Sequence, residues 1–229
     1  MSHNYMPISI SLVGRTCLVV GAGKVALRKI ETLFDYGGDI TVIAPEVEDK
    51  IQYFSDSGRL KLEKREYRSP EASDYRLVIS ACDDMVVNRQ VSEDCRKTNT
   101  LVNVVDQPTL CDFIFPAVIR RDCLTAAIST DGKAPFMSGH LRMILEEIFP
   151  LHWNKLMPVA TRFRKMVQER WPDDVHQKTV CYTQFLEADW QNLLKEKNPS
   201  VIDGELARML EPRADKPEGA LPIEEPTDS

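Results

Sequence analysis

Long apolar stretches are missing from this 229-residue chain. No run approaches the roughly 18 apolar residues that a spanning helix requires, so no membrane segment is expected. No basic stretch followed by an apolar one opens the chain, as a secretory leader would. A basic excess is also missing. Lys plus Arg number 29 against 35 for Asp plus Glu, a net charge of −6, which argues against a nucleic-acid partner. From Glu211 to Ser229 six acidic residues face two basic ones, so −4 of the −6 lies there and the body is close to neutral. A local basic cluster can still hold an anionic small molecule.

Several chemical signatures are absent too. The six cysteines (Cys17, Cys82, Cys95, Cys111, Cys123 and Cys181) form no C-x-x-C pair, and several sit in apolar runs. They read as free, buried thiols in a reducing cytoplasm. His3, His140, His152 and His176 form no H-E-x-x-H and no close pair, so no preformed metal site is expected. No tyrosine has lysine four residues later, which excludes the Tyr-x-x-x-Lys pair of short-chain dehydrogenases.

What is there is an alternation of strand-like and helix-like segments. Thr16–Val20, Asp39–Ile43, Leu60–Glu66, Leu77–Ala81 and Leu101–Val105 read as strands. Ala22–Tyr36, Val47–Ser55 and Val86–Lys97 read as helices, the first ended by Gly37-Gly38. Fully apolar strands in a βαβαβ rhythm predict a parallel sheet covered on both faces. Beyond Cys111 the pattern changes: Phe113–Val118 and Leu124–Ile128 read as strands, Met137–Ile148 as a helix. Lys155–Arg170, Val180–Lys197 and Gly204–Leu210 read as further helices, with a break at Trp171-Pro172. The expected organisation is α/β. A Rossmann-type domain spans 1–113, a small α+β segment 114–150 that packs against the first domain or a second copy of itself, a helical domain 151–210 and a disordered acidic tail 211–229.

The sharpest local signal is Gly21-Ala-Gly23-Lys-Val-Ala26, a G-x-G-x-x-A directly after a strand and before a helix. Gly21 permits the tight turn, Gly23 lets the backbone approach a pyrophosphate, and Ala26 allows close packing of helix on strand. The helix start then offers N–H groups and partial positive charge to the phosphates. The acid that would grip a ribose falls near Pro45-Glu46, 25 residues past Gly21 for Glu46 and a little late; Glu46 reads equally as a helix N-terminal acid. No arginine follows at once, so NAD is favoured over NADP. The expected cofactor set is Gly21, Gly23, Lys24, Val25, Ala26, Pro45, Glu46 and Asn103. Asp106 follows an apolar strand at the end that faces the ligand crevice of a parallel sheet, and Ser129-Thr-Asp-Gly-Lys133 forms a small polar loop.

Taken together, several segments resemble those of one family. They are Gly21 to Lys29, Val42 to Glu46, Ser80-Ala-Cys-Asp-Asp84 with Asn88, Asn103-Val-Val-Asp106, Phe113 to Pro116, and Ile128 to Pro135. This set, within residues 7–150, is similar to precorrin-2 dehydrogenase, the siroheme synthase module that oxidises precorrin-2 to sirohydrochlorin. The chain departs from the pattern at Ala134-Pro135, where the family often has Ser-Pro.

The resemblance implies the stand-alone form, NAD as hydride acceptor, a homodimer built through residues near 114–150, and in some relatives Fe²⁺ insertion to give siroheme. It implies catalysis by Asp106, either as general base or by orienting the macrocycle through its pyrrole N–H groups. Because the substrate carries several carboxylates, Arg120-Arg121, Lys133 and Arg142 are candidates to hold it, with Ser129 and Thr130 as hydrogen-bonding partners. Two other readings share the glycine turn: an NAD-sensing regulatory module, and a chelatase that lacks dehydrogenase activity.

Overall fold

The computed structural model describes residues 5–195 and 199–212. The tail expected at 211–229 lies, from residue 213 on, outside them. The chain divides into two compact units. The first holds the residues up to Pro116 together with Ser129–Pro135; the second holds Ala117–Ile128 and the residues from Phe136 on.

The first unit is built on five parallel strands: β1 (Thr16–Val20), β2 (Asp39–Ile43), β3 (Lys61–Glu63), β4 (Leu77–Ser80) and β5 (Leu101–Val104), in the order β3-β2-β1-β4-β5. This is the Rossmann arrangement expected from the sequence. Helices α1 (Lys24–Asp35), α2 (Asp49–Asp56) and α3 (Met85–Thr98) connect them. The period-2 alternation of a strand explains why the runs are apolar throughout. In β1, Cys17 and Val19 enter one core with Ala26, Ile30 and Leu33 of α1 and Ile51 and Phe54 of α2. Leu18 and Val20 enter a second core with Val91 and Cys95 of α3 and Val102 and Val104 of β5. Full burial of such a branched side chain contributes on the order of 1.5–3 kcal/mol. α1 stops where expected: Gly37, at φ +73°, donates to Phe34 O, and Gly38 donates to Leu33 O.

The second unit contains a hairpin, β6 (Ala117–Arg121) with β7 (Leu124–Ile128), and helices α4 (Pro135–Ile148), α5 (Trp153–Arg170), α6 (Val175–Glu187), α7 (Trp190–Leu193) and α8 (Pro199–Met209). Two expectations need correction. Phe113–Val118 is not a strand; pairing begins only at Ala117, after Pro116, and Phe113 and Phe115 instead pack edge to face at 5.4 Å. The helix expected over 180–197 is two helices, and residues 196 and 197 lie outside the described ones. Ala188 turns extended, Asp189 caps α7 by accepting from Asn192 N, and the Trp190 indole N–H is bound to Phe185 O at 2.6 Å. That bond lets the ring stay buried in a third core, against Phe185 at 4.4 Å. The last helix starts earlier than expected, at Pro199.

Candidate active site

The glycine turn is fixed by its neighbours. The Gly21 N–H donates to Ile43 O at 2.9 Å, and its φ is +101°. A Cβ at Gly21 would lie 2.4 Å from the carbonyl oxygen of Ala81. The exits of β1 and β4 therefore touch here, at the point where the strand order changes direction, which is where open parallel sheets bind ligands. Gly23 caps α1 without a side-chain bond. A Cβ placed on it would meet nothing within 4 Å, and the first turn of α1 holds no acid. Lys24 is exposed, Val25 half-buried and Ala26 fully buried against the sheet. Pro45 and Glu46 are exposed just beyond β2, and the Glu48 N–H donates to Ala22 O at 3.0 Å, joining that loop to the glycine turn. All seven of these expected cofactor positions thus gather at one end of the sheet, and the arrangement fits a dinucleotide: an uncapped helix start with room for a pyrophosphate.

Asn88, a motif residue outside the expected site, shapes this end. It is buried, accepts from Ser80 Oγ at 2.7 Å and from the Cys82 thiol at 3.3 Å, and donates to Cys82 O at 3.0 Å. Asp84 caps α3 by accepting from Val86 N. The loop that meets Gly21 is held by these bonds. The Cys82 thiol is pushed up in pKa, chiefly by burial.

At the tip of β5 the side chain of Asn103 turns inward. It is buried and donates to Phe113 O at 2.9 Å, holding the returning chain. Asp112 N donates to Val102 O, Asp112 Oδ2 accepts from Val102 N, and Cys111 Sγ sits 3.2 Å from both Val104 N and Val104 O. Between these ties Asp106 is exposed, in a left-handed turn at φ +57°. Lys29 of α1, absent from the expected site, lies half-buried with its Nζ 3.8 Å from the centre of the Phe115 ring. Burial first, then Arg28, pushes its pKa down, while Cys111 and Asp106 act the other way. Its signal was a cation with no acid three or four residues away on the helix. Its aromatic partner lies 86 positions further along the chain.

The remaining expected residues are spread over both units. The loop carrying Ser129, Thr130 and Lys133 clusters with the first unit. Ser129 Oγ accepts from Asp131 N and Thr130 Oγ1 from Ala134 N, so both hydroxyl oxygens help shape the loop, and Lys133 lies 4.0 Å from Asp131. Arg120 and Arg142 belong to the second unit: Arg120 is exposed on β6, and Arg142 pairs with Glu146 one turn along α4 at 3.8 Å. Arg121 is buried and donates to Phe149 O at 2.7 Å, where it ties the hairpin to the end of α4.

The strand order and the glycine turn at its switch point define a Rossmann-type dinucleotide-binding protein. Residues 8–117 match a family described as putative NAD(P)-binding. In sequence the chain is similar to siroheme synthases over most of its own length. It is 36% identical over 210 residues to a siroheme synthase of Pseudomonas paraeruginosa, covering 92% of this chain and 44% of the relative. To a siroheme synthase of Methylococcus capsulatus it is 38% identical over 170 residues, covering 74% and 36% respectively. The chain therefore spans less than half the length of these relatives. A solved structure titled SirC, precorrin-2 dehydrogenase shares the fold, with a TM-score of 0.72 at 23% identity over 90% of this chain and 98% of that one. Among the described residues no helix is long and apolar enough to cross a membrane, and all six cysteines are unpaired.

Proposed function

We propose that this chain is an NAD-dependent precorrin-2 dehydrogenase, which oxidises precorrin-2 to sirohydrochlorin in siroheme and tetrapyrrole biosynthesis. The observation that carries the reading is that the glycine turn after β1 and the Asp106 turn after β5 stand at the same end of one parallel sheet, within one unit. Siroheme synthases as relatives supply the substrate class.

In this reading Gly21, Gly23, Lys24, Val25 and Ala26 hold the pyrophosphate, and Pro45 and Glu46 line the adenosine side. NAD, when bound, supplies the hydride acceptor. Asp106 takes the proton that leaves as the conjugation is completed. Its exposure leaves the carboxylate free to meet a macrocycle, and the ties at Asn103, Cys111 and Asp112 fix where it stands. Asn103 acts on the cofactor end of the site through the loop it anchors. Ser129, Thr130 and Lys133, on the loop that belongs to the first unit, contact the substrate's polar rim.

The active form is a homodimer in the cytoplasm. α4 leaves Met137, Leu141, Ile144 and Ile148 exposed at helical spacing, an apolar face that a second copy would cover. The free thiols suit a reducing compartment. The test is anaerobic incubation of the chain with precorrin-2 and NAD⁺, following sirohydrochlorin and NADH by absorbance together. Both should rise in equal amounts; folded protein that produces neither would refute the assignment.

A further inference from the structure

The charge pattern of α1 exceeds what a phosphate turn needs. Lys24, Arg28 and Lys29 occupy its first two turns, no acid stands in the first turn, and Glu31 is paired with Lys50 at 2.5 Å. The amino end of a helix is already positive, so cations there are unfavourable unless an anion arrives. Lys24 stands at the phosphate end. Lys29 is the sixth residue of the helix, about 7.5 Å further along the axis, too far on to share that role.

Lys29 is also held in place. Its Nζ rests 3.8 Å from the centre of the Phe115 ring, an arrangement that attracts a cation. Phe115 is set in turn by Phe113, whose carbonyl is bound by Asn103. Asp106 is among the charges the ammonium feels, with Arg28 and Cys111 the others, but among the described residues no carboxylate lies within ion-pair distance of it. A half-buried ammonium on an aromatic ledge, lacking an ion pair among the described residues, is suited to an incoming carboxylate.

We propose that Lys29 is a substrate-binding residue, whose ammonium, steadied over Phe115, receives one carboxylate of a polycarboxylate tetrapyrrole. The inference rests on the dehydrogenase reading and adds to it a specific anchor.

The test compares the full chain with its K29M and K29R variants, using uroporphyrin III, an octacarboxylate, as a non-reacting probe titrated by absorbance, alongside steady-state kinetics with precorrin-2. K29M should weaken the probe about tenfold or more, as expected for loss of one charge-assisted contact, and raise KM more than it lowers kcat. K29R should stay within about threefold of the parent, and NAD⁺ affinity and melting temperature should be unchanged in both. Equal probe affinity and equal KM in K29M overturn the proposal, as does a parallel loss of NAD⁺ affinity, which would make the role structural. A parent chain that neither turns over precorrin-2 nor binds the probe overturns the dehydrogenase reading itself; a parent that does both, with K29M unchanged, overturns the Lys29 anchor alone.

Discussion

Gly21 and Gly23 stand two residues apart in one turn, but the structure gives them opposite vulnerabilities. In Gly21→Ala the new Cβ falls 2.4 Å from Ala81 O, inside the 3.0 Å that real Cβ atoms keep from a neighbour, so the exits of β1 and β4 must part by at least 0.6 Å. The bonds at risk are Ala81 N to Val20 O and Gly21 N to Ile43 O, at 2.8 and 2.9 Å. A side chain at φ +101° adds strain of roughly 1–3 kcal/mol, and the overpacking about 1–3 kcal/mol more. The expected loss of stability is therefore about 2–6 kcal/mol. Gly23→Ala meets no protein atom within 4 Å at an ordinary φ of −86°. Its methyl should leave the fold intact and stand where a pyrophosphate approaches. Loss of one charge-assisted bond of about 1.5–3 kcal/mol weakens NAD⁺ roughly ten- to hundredfold. Urea denaturation and NAD⁺ titration of both variants measure the two effects separately. A Gly21→Ala protein that unfolds like the parent, or a Gly23→Ala protein that binds NAD⁺ like the parent, would refute the reasoning.

Other expectations follow from the same geometry. Asp106→Asn should keep the left-handed turn, which asparagine tolerates, and lower turnover about 10²–10⁴-fold with unchanged melting; full sirohydrochlorin production by this variant would remove Asp106 from the chemistry. Asp94 is fully buried and accepts from Tyr67, Gln90 and Lys97; burial alone would raise its pKa, but these bonds, with one from Ser69, hold it below the ordinary value. Its stabilising effect is thus complete above the unfolded carboxylate value near 3.9 and fades as pH falls through the lower folded value. Asp94→Ala should destabilise the protein by roughly 1–3 kcal/mol at pH 7 and flatten the acid limb of a stability–pH curve from urea melts. Leu141→Lys with Ile144→Lys, both on the exposed face of α4, should turn a dimer into a monomer in sedimentation experiments; a parent chain that is itself monomeric at micromolar concentration counts against the dimer.

The sheet was legible in the sequence because its strands are buried on both faces and bounded by glycine, proline and asparagine. Each apolar run marked a strand to within one or two residues, apart from β3, which was shorter than expected. Legibility fell where a backbone group is met by a distant side chain. Nothing local to Phe113–Pro116 says that Asn103 seizes the Phe113 carbonyl and that the segment packs by its rings before any pairing starts. Val180–Lys197 has helical composition throughout; the break at Ala188 comes from Asp189 as a cap and from the Trp190 indole reaching back to Phe185. The glycine turn was readable from spacing alone, and the structure sets the expected cofactor residues from Gly21 to Glu46 around it. Lys29 and Asn88 were in plain view within the motifs, but their importance depends on Phe115, 86 residues away from Lys29, and on the loop that Asn88 closes from α3.

The bond from Glu48 to Ala22 has an evolutionary corollary. Because the loop after β2 is bolted to the bend that precedes α1, lengthening or shortening residues 44–48 would drag the phosphate corner with it. A descendant could exchange the exposed side chains at Pro45 or Glu46 while leaving the number of residues alone, so variation at this corner is confined to composition and closed to insertion.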